Sequence, residues 1–186
     1  MPSMKCRFSF SRVRVDLPRA VAASSDQCTA GCCRCLQLSE VRLYVGDAAR
    51  SKLTRLQATS VQSNGRSPPG QGADKAWDGS PNSKWLDLDY ASTESPQSTL
   101  EVEADEDRVC SKNHCEPANT DPSLISYSYE LVSASDAAWR DPVDWTAHCW
   151  RSDVNGHSVE LVDRASDFAA PLARLASYGV RALVPL

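Results

Sequence analysis

Short segments in which apolar and polar residues alternate dominate this chain, broken by clusters of Gly, Pro, Asn, Asp and Ser, while long helical periodicity is nearly absent. Alternation puts successive side chains on opposite faces of a strand, so the pattern predicts an all-β domain. In KCRFSFSRVRVDL, Phe8 and Phe10 share one phase and Val13, Val15 and Leu17 the other. In CLQLSEVRLYVG, Leu36 and Leu38 share a face but Val41, Leu43 and Val45 continue in the opposite phase, which predicts a β-bulge near Ser39 and Glu40. LTRLQATSV is a weaker strand leading into QSNGRSPPGQG, where Asn64-Gly65, Pro68-Pro69 and Gly70 require turns. STLEVEA alternates through Leu100 and Val102, LISYSYELV through Ile125, Tyr127, Tyr129 and Leu131, and DWTAHCW through Trp145, Ala147 and Cys149. HSVELVD and YGVRALVPL close the set, DEDRVCSKNHCEPANTDPS reads as a long polar loop, and PLARLAS as one helical turn begun by Pro171. The sum is about eight strands, at spacings typical of a sandwich or jelly roll.

Composition narrows the partners. At 186 residues, 41% hydrophobic and 24% charged, the chain fits one globular domain. A net charge of -4 and a pI near 5.4 provide no concentrated basic face, which argues against nucleic acid as a partner. No apolar run approaches the roughly 18 residues of a membrane span. The first 25 residues carry Lys5, Arg7, Arg12, Arg14 and Arg19 against the single acid Asp16, the balance of an organelle transit peptide, although a strand reading of the same residues is favoured. Residues 1–35 are therefore set apart as an N-terminal strand and Cys-rich loop, possible transit sequence included, and 36–186 as the sandwich domain. Without an apolar block for secretion, an intracellular or organellar location is favoured.

Candidate chemistry is sparse. Cys28, Cys32, Cys33 and Cys35 offer four thiolates, but structural zinc sites pair separated knuckles and adjacent Cys32 and Cys33 diverge, so zinc is disfavoured against free or locally oxidised thiols. Cys110 and Cys115, flanking His114, could form a small disulfide, join a metal site or lie in a flexible loop. Cys149 follows His148, but strand neighbours face opposite ways, and a buried inert thiol is expected. Neither a Gly-rich phosphate loop, nor a nucleophile elbow, nor a histidine pair at helical spacing occurs among His114, His148 and His157, so no enzyme is expected. The acidic string EVEADED reads as a solvated strand end rather than a cation site. In WRDPVDW, Pro142 forces a corner that Arg140 and Asp141 either lock or use to present donors to a ligand, the first being favoured. In KAWDGSPNSKWLDLD, Trp77 and Trp85 bracket an Asp-Gly turn and are expected to anchor it.

In chain order, LQLSEVRLY, SNGRSPPGQGADKAWDGSPNSKWLDL, SYSYELVSASDAAWRDPVDWTAH and the last β segments resemble the discoidin, or coagulation factor 5/8 type C, superfamily. More narrowly, they look like its bacterial and protist carbohydrate-binding-module relatives, with a galactose-binding-like fold. The likeness runs from about Leu36 to Val180. It implies an eight-stranded jelly-roll β-sandwich that binds glycans, lipids or proteins through loops at one end and does no chemistry. It also implies a structural calcium held by Asp78, Asn82 and Ser83, whose hard oxygens suit that ion. The chain departs from the family in GVRALVPL, which lacks the late acidic residue of the calcium shell, in Val159 for an aromatic, and in its cysteine insertions. Trp139 and Trp150 are the candidate stacking residues for a sugar face, with Arg140 beside them, and rim packing is the competing role. The expected function is a non-catalytic module that recognises a glycan. The alternative is an accessory or scaffold subunit that docks into a larger assembly without binding sugar, a role the basic N-terminus and extra cysteine loops favour by adding surface.

Overall fold

The structure, a computed structural model, describes residues 3–14, 35–47, 52–90, 97–105, 109–111, 114–116, 125–152 and 158–186. Alternating sequence becomes strand almost throughout: β1 (Ser3–Val13), β2 (Leu36–Leu38), β3 (Glu40–Asp47), β4 (Leu53–Arg55), β5 (Gln57–Ser63), β6 (Trp85–Asp87), β7 (Ser98–Asp105), β8 (Val109–Ser111), β9 (His114–Glu116), β10 (Ile125–Val132), β11 (Pro142–Ser152), β12 (Ser158–Ala165) and β13 (Ser177–Pro185). The helical elements among the described residues are two short 3-10 turns, Ala73–Ala76 and Ala138–Arg140. The expected all-β class is what the chain forms.

Nine strands make one antiparallel sheet in the order β4-β3-β10-β13-β12-β11-β1-β7-β5. Its two outer strands, β4 and β5, are separated in the chain by Leu56 alone, which is fully buried and donates its N–H to Leu43 O at 2.9 Å. The sheet therefore curls almost back onto itself, as a sandwich-like near-barrel. β13 spans the opposite corner: it pairs with β10 from Ser177 to Leu183, then with β12 at Val184 and Pro185. Side chains at alternate positions fill the interior. Trp85, Trp145, Tyr129, Phe8 and Phe10 are its largest members, with Phe8 edge-on to Tyr129 at 5.3 Å and Phe10 against Trp85 at 6.0 Å. Each such ring contributes about 1.5–3 kcal/mol by leaving water.

Several expectations are corrected by the pairing. β1 is an interior strand between β11 and β7, with Met4, Cys6, Phe8 and Phe10 buried, so it shares one sheet and one core with strands drawn from 36–186. The phase change in this strand is real: its register with β11 shifts between Phe10, Arg12 and Val13. Val15 and Leu17 lie outside the described residues, as do Cys28, Cys32, Cys33 and His157. At Ser39 the phase change is a strand break rather than a bulge. β2 pairs with β6 and β3 with β10, because Ser39 turns its N–H to Val132 O and its hydroxyl to Pro81 O. The polar stretch after residue 105 contains a β8–β9 hairpin with Cys110 opposite Cys115, and PLARLAS forms bends and a turn instead of a helix. Cys149 is buried as expected but is not a thiol: it is bonded to Cys6, its register partner across β1 and β11. Cys35 is also in a disulfide.

Candidate ligand-binding end of the sandwich

The antiparallel order brings the ends of β1, β5, β10 and β12 together with the starts of β3, β7, β11 and β13. Residues 64–84, 133–141 and 166–176 therefore converge at one end.

The first of these segments builds the Asp-Gly corner. Gly79 sits at φ 78°, a left-handed conformation that glycine adopts without steric cost, and its N–H reaches Glu40 Oε1 at 2.8 Å. Glu40 is wholly buried, and its other oxygen accepts Arg55 Nη2 at 2.9 Å and Arg42 Nε at 3.5 Å. Arg55 lies over the Trp77 ring at 5.6 Å, and Trp77 and Trp85 are both buried, so the two tryptophans anchor the loop. Asp78 Oδ1 accepts the Ser80 N–H at 2.9 Å and the Ser83 hydroxyl at 2.7 Å, while Oδ2 faces Lys75 Nζ at 3.4 Å. Partial burial works against ionisation, but the Ser83, Ser80 and Lys75 donors hold the Asp78 carboxyl below its ordinary value.

Of the expected calcium ligands, Asp78 and Ser83 are thus brought together and Asn82 is exposed at the tip. They do not fit the ion as they stand. Calcium takes about six to eight oxygen ligands. Here the one carboxylate already faces an ammonium, and the Pro81 and Ser83 carbonyls accept the Ser39 hydroxyl at 2.8 and 3.1 Å.

Residues 133–141 are held from three sides. Gln37 Nε2 donates to Asp136 O at 2.6 Å and Ala137 O at 3.1 Å, Lys84 Nζ meets Asp136 Oδ2 at 2.6 Å, and Arg174 Nη2 donates to Asp136 O at 2.6 Å. The Arg174 guanidinium also grips both oxygens of the fully buried Asp141. Burial pushes the Asp141 carboxyl up while Arg174 pulls the other way. Within this clamp Ala137 sits at φ 41°, left-handed without glycine's freedom, and caps the 3-10 turn Ala138–Arg140. Such a residue costs about 1–3 kcal/mol and persists where its surroundings over-determine it. Trp139 and Arg140 ride on this turn, half-buried, with the guanidinium carbon 6.0 Å from the ring centroid. Arg140 Nε is buried and has no hydrogen-bond partner. Of the pair weighed from sequence, Asp141 locks the corner, with Arg174 as partner, and Arg140 does not.

Trp150 is elsewhere. It lies on the outer face of β11 toward the opposite end, its ring 4.3 Å from that of His148 and beneath Arg7 at 5.8 Å, while His148 pairs with Glu160. The structure therefore brings Trp139 and Arg140 together and leaves Trp150 apart. His148 and Cys149 diverge, as strand geometry requires. Sequence reasoning passed over Gln37, Lys84, Asp136 and Arg174, which converge from four separate segments with no local pattern linking them. Beside them a groove of about 620 Å³ opens between Arg12, Arg14, Val143, Phe168 and Leu172. Comparison with family models, curated proteins and solved structures finds no match for this chain.

Proposed function

We propose that this chain is a non-catalytic binding module of the discoidin-like class, a jelly-roll sandwich that recognises a glycan through the loops at one end. The observation that carries the reading is Trp139 and Arg140, presented on a strained turn that Gln37, Lys84 and Arg174 hold in place. An aromatic ring offers a flat apolar partner to the C–H face of a sugar, and guanidinium donors suit its oxygens. Pre-ordering the turn lowers the entropy lost on binding. A glycan array probed with the full chain tests the reading, with and without a chelator and beside Trp139→Ala. The expected result is chelator-insensitive binding that falls about tenfold or more in the variant. An array with no signal in either condition would overturn it.

The Cys6–Cys149 disulfide supports an oxidising compartment for the chain. A second reading, docking into a larger assembly, draws on an apolar strip: Val180 and Val184 are 47% and 51% exposed on β13, and Leu186 follows at 80%. It predicts a stoichiometric complex that V180D and V184D disrupt, alongside a blank array.

A further inference from the structure

We infer, building on the glycan reading above, that the sugar bound at this end carries an oxyanion, which Arg140 holds beside Trp139. The position of Arg140 beside Trp139, without a hydrogen-bonded acceptor among the described residues, carries the inference. Five other cations there are committed to carboxylates: Lys84 to Asp136, Arg174 to Asp141, Lys75 to Asp74 and Asp78, Arg66 to Asp89, and Arg12 to Asp144 and Asp167. Asp136 feels the charge of Arg140, yet its hydrogen bond goes to Lys84. Among the described residues no acceptor hydrogen-bonds the Arg140 guanidinium, and its Nε is shut away from water. Within the turn itself, Asp136 is taken by Lys84 and Asp141 by Arg174, so Arg140 is the cation there without a carboxylate hydrogen-bonded to it.

A neutral sugar would give this guanidinium hydroxyl oxygens alone. A carboxylate or sulfate gives it a charged acceptor whose hydrogen bonds are roughly twice as strong, and the planar fork of Arg meets a carboxylate with two parallel bonds. The indole beside it covers the apolar face of the same residue, so one sugar satisfies both side chains. Because Ala137 and its clamp fix the turn, the two groups are already arranged before the ligand arrives.

The test is calorimetry on the full chain with an oligogalacturonide, its methyl ester, a sulfated galactan fragment and a neutral galactan fragment. The expected result is an acidic fragment bound about tenfold to a hundredfold more tightly than its neutral counterpart. The preference should weaken with salt, disappear in Arg140→Gln and survive in part in Arg140→Lys, with thermal midpoints unchanged. The uronide and sulfate arms say which oxyanion is read. Equal binding of acid and ester and of sulfated and neutral galactan, or an undiminished preference in Arg140→Gln, overturns the inference while leaving the glycan reading intact. If none of the fragments binds and the array is blank, both fall together.

Discussion

The Asp-Gly corner and the turn before β11 lie at the same end of the sandwich and are built to opposite rules. In the corner, glycine supplies the left-handed residue, every oxygen of Asp78 and Glu40 meets a donor, and two tryptophans close the floor. In the turn, alanine takes the left-handed position, and Arg140, beside an indole as Arg55 is in the corner, has no carboxylate hydrogen-bonded to it among the described residues. The corner too keeps buried donors without acceptors, at Arg55 Nε and the Trp77 and Trp85 indoles, so the contrast lies in its fully engaged carboxylates against a strained turn whose arginine has no hydrogen-bonded carboxylate.

Breaking the corner should cost most. Glu40→Ala would leave Arg55 and the Gly79 N–H facing each other without their acceptor in a buried site, at about 3–5 kcal/mol of stability by urea denaturation. A loss below 1 kcal/mol would mean that water satisfies those donors and that the corner is not the anchor described. Gly79→Ala isolates the backbone contribution, because no atom lies within 4 Å of the added methyl group. The left-handed φ alone should then cost about 1–2 kcal/mol. Ala137→Gly makes the converse change in the second turn and should be neutral or stabilising by up to about 1 kcal/mol, since relief of strain competes with the freedom glycine adds to the unfolded chain. If both substitutions destabilise equally, the contrast between the loops is lost.

What could be read in advance depended on whether the information was local. Alternation marked the strands at Phe8 and Phe10, Tyr127 to Leu131 and Trp145 to Cys149, and the bracketing tryptophans marked the corner. The phase change at Ser39 was equally visible, but phase alone does not distinguish a bulge from a break, which depends on the partners β6 and β10 supply. Burial of Cys149 followed from its strand face, whereas its bond to Cys6, 143 residues away, follows from the β1–β11 register. The same limit hid the clamp. Gln37 and Lys84 reach residue 136 from the separate β2–β6 ribbon and Arg174 reaches Asp141 from the segment before β13, so no single stretch of sequence contains the clamp. Trp139 and Trp150 looked alike as exposed aromatics, and only the length of β11 between them puts one on the loops and the other on a sheet face.

Acid acts on both loops with the same sign through Asp78 and Asp136, while Asp141 in the turn, pushed up by burial, acts with the opposite sign, which makes pH the finest test of the comparison. Asp78 in the corner and Asp136 in the turn are both depressed below the ordinary carboxylate value of 3.8, each against the opposing effect of burial, the first by Ser83, Ser80 and Lys75 and the second chiefly by Lys84. A depressed native pKa means that the unfolded chain takes up the proton first as pH falls. Their stabilisation is therefore complete above that ordinary value and is lost as pH drops through the lower native values. Asp144, held down by Arg12, adds to the same limb. Stability measured from pH 6 to pH 2 should fall below about pH 4, with protonation of the buried Asp141, whose native value is raised, offsetting part of the loss. Asp78→Asn should shallow that fall through loss of the corner contribution and leave oligosaccharide affinity at pH 6 unchanged. Asp136→Asn should shallow it too, but it frees Lys84 beside Arg140 and should tighten binding of an acidic fragment severalfold. Indistinguishable affinities in the two variants would show that the corner and the turn are not separate in function.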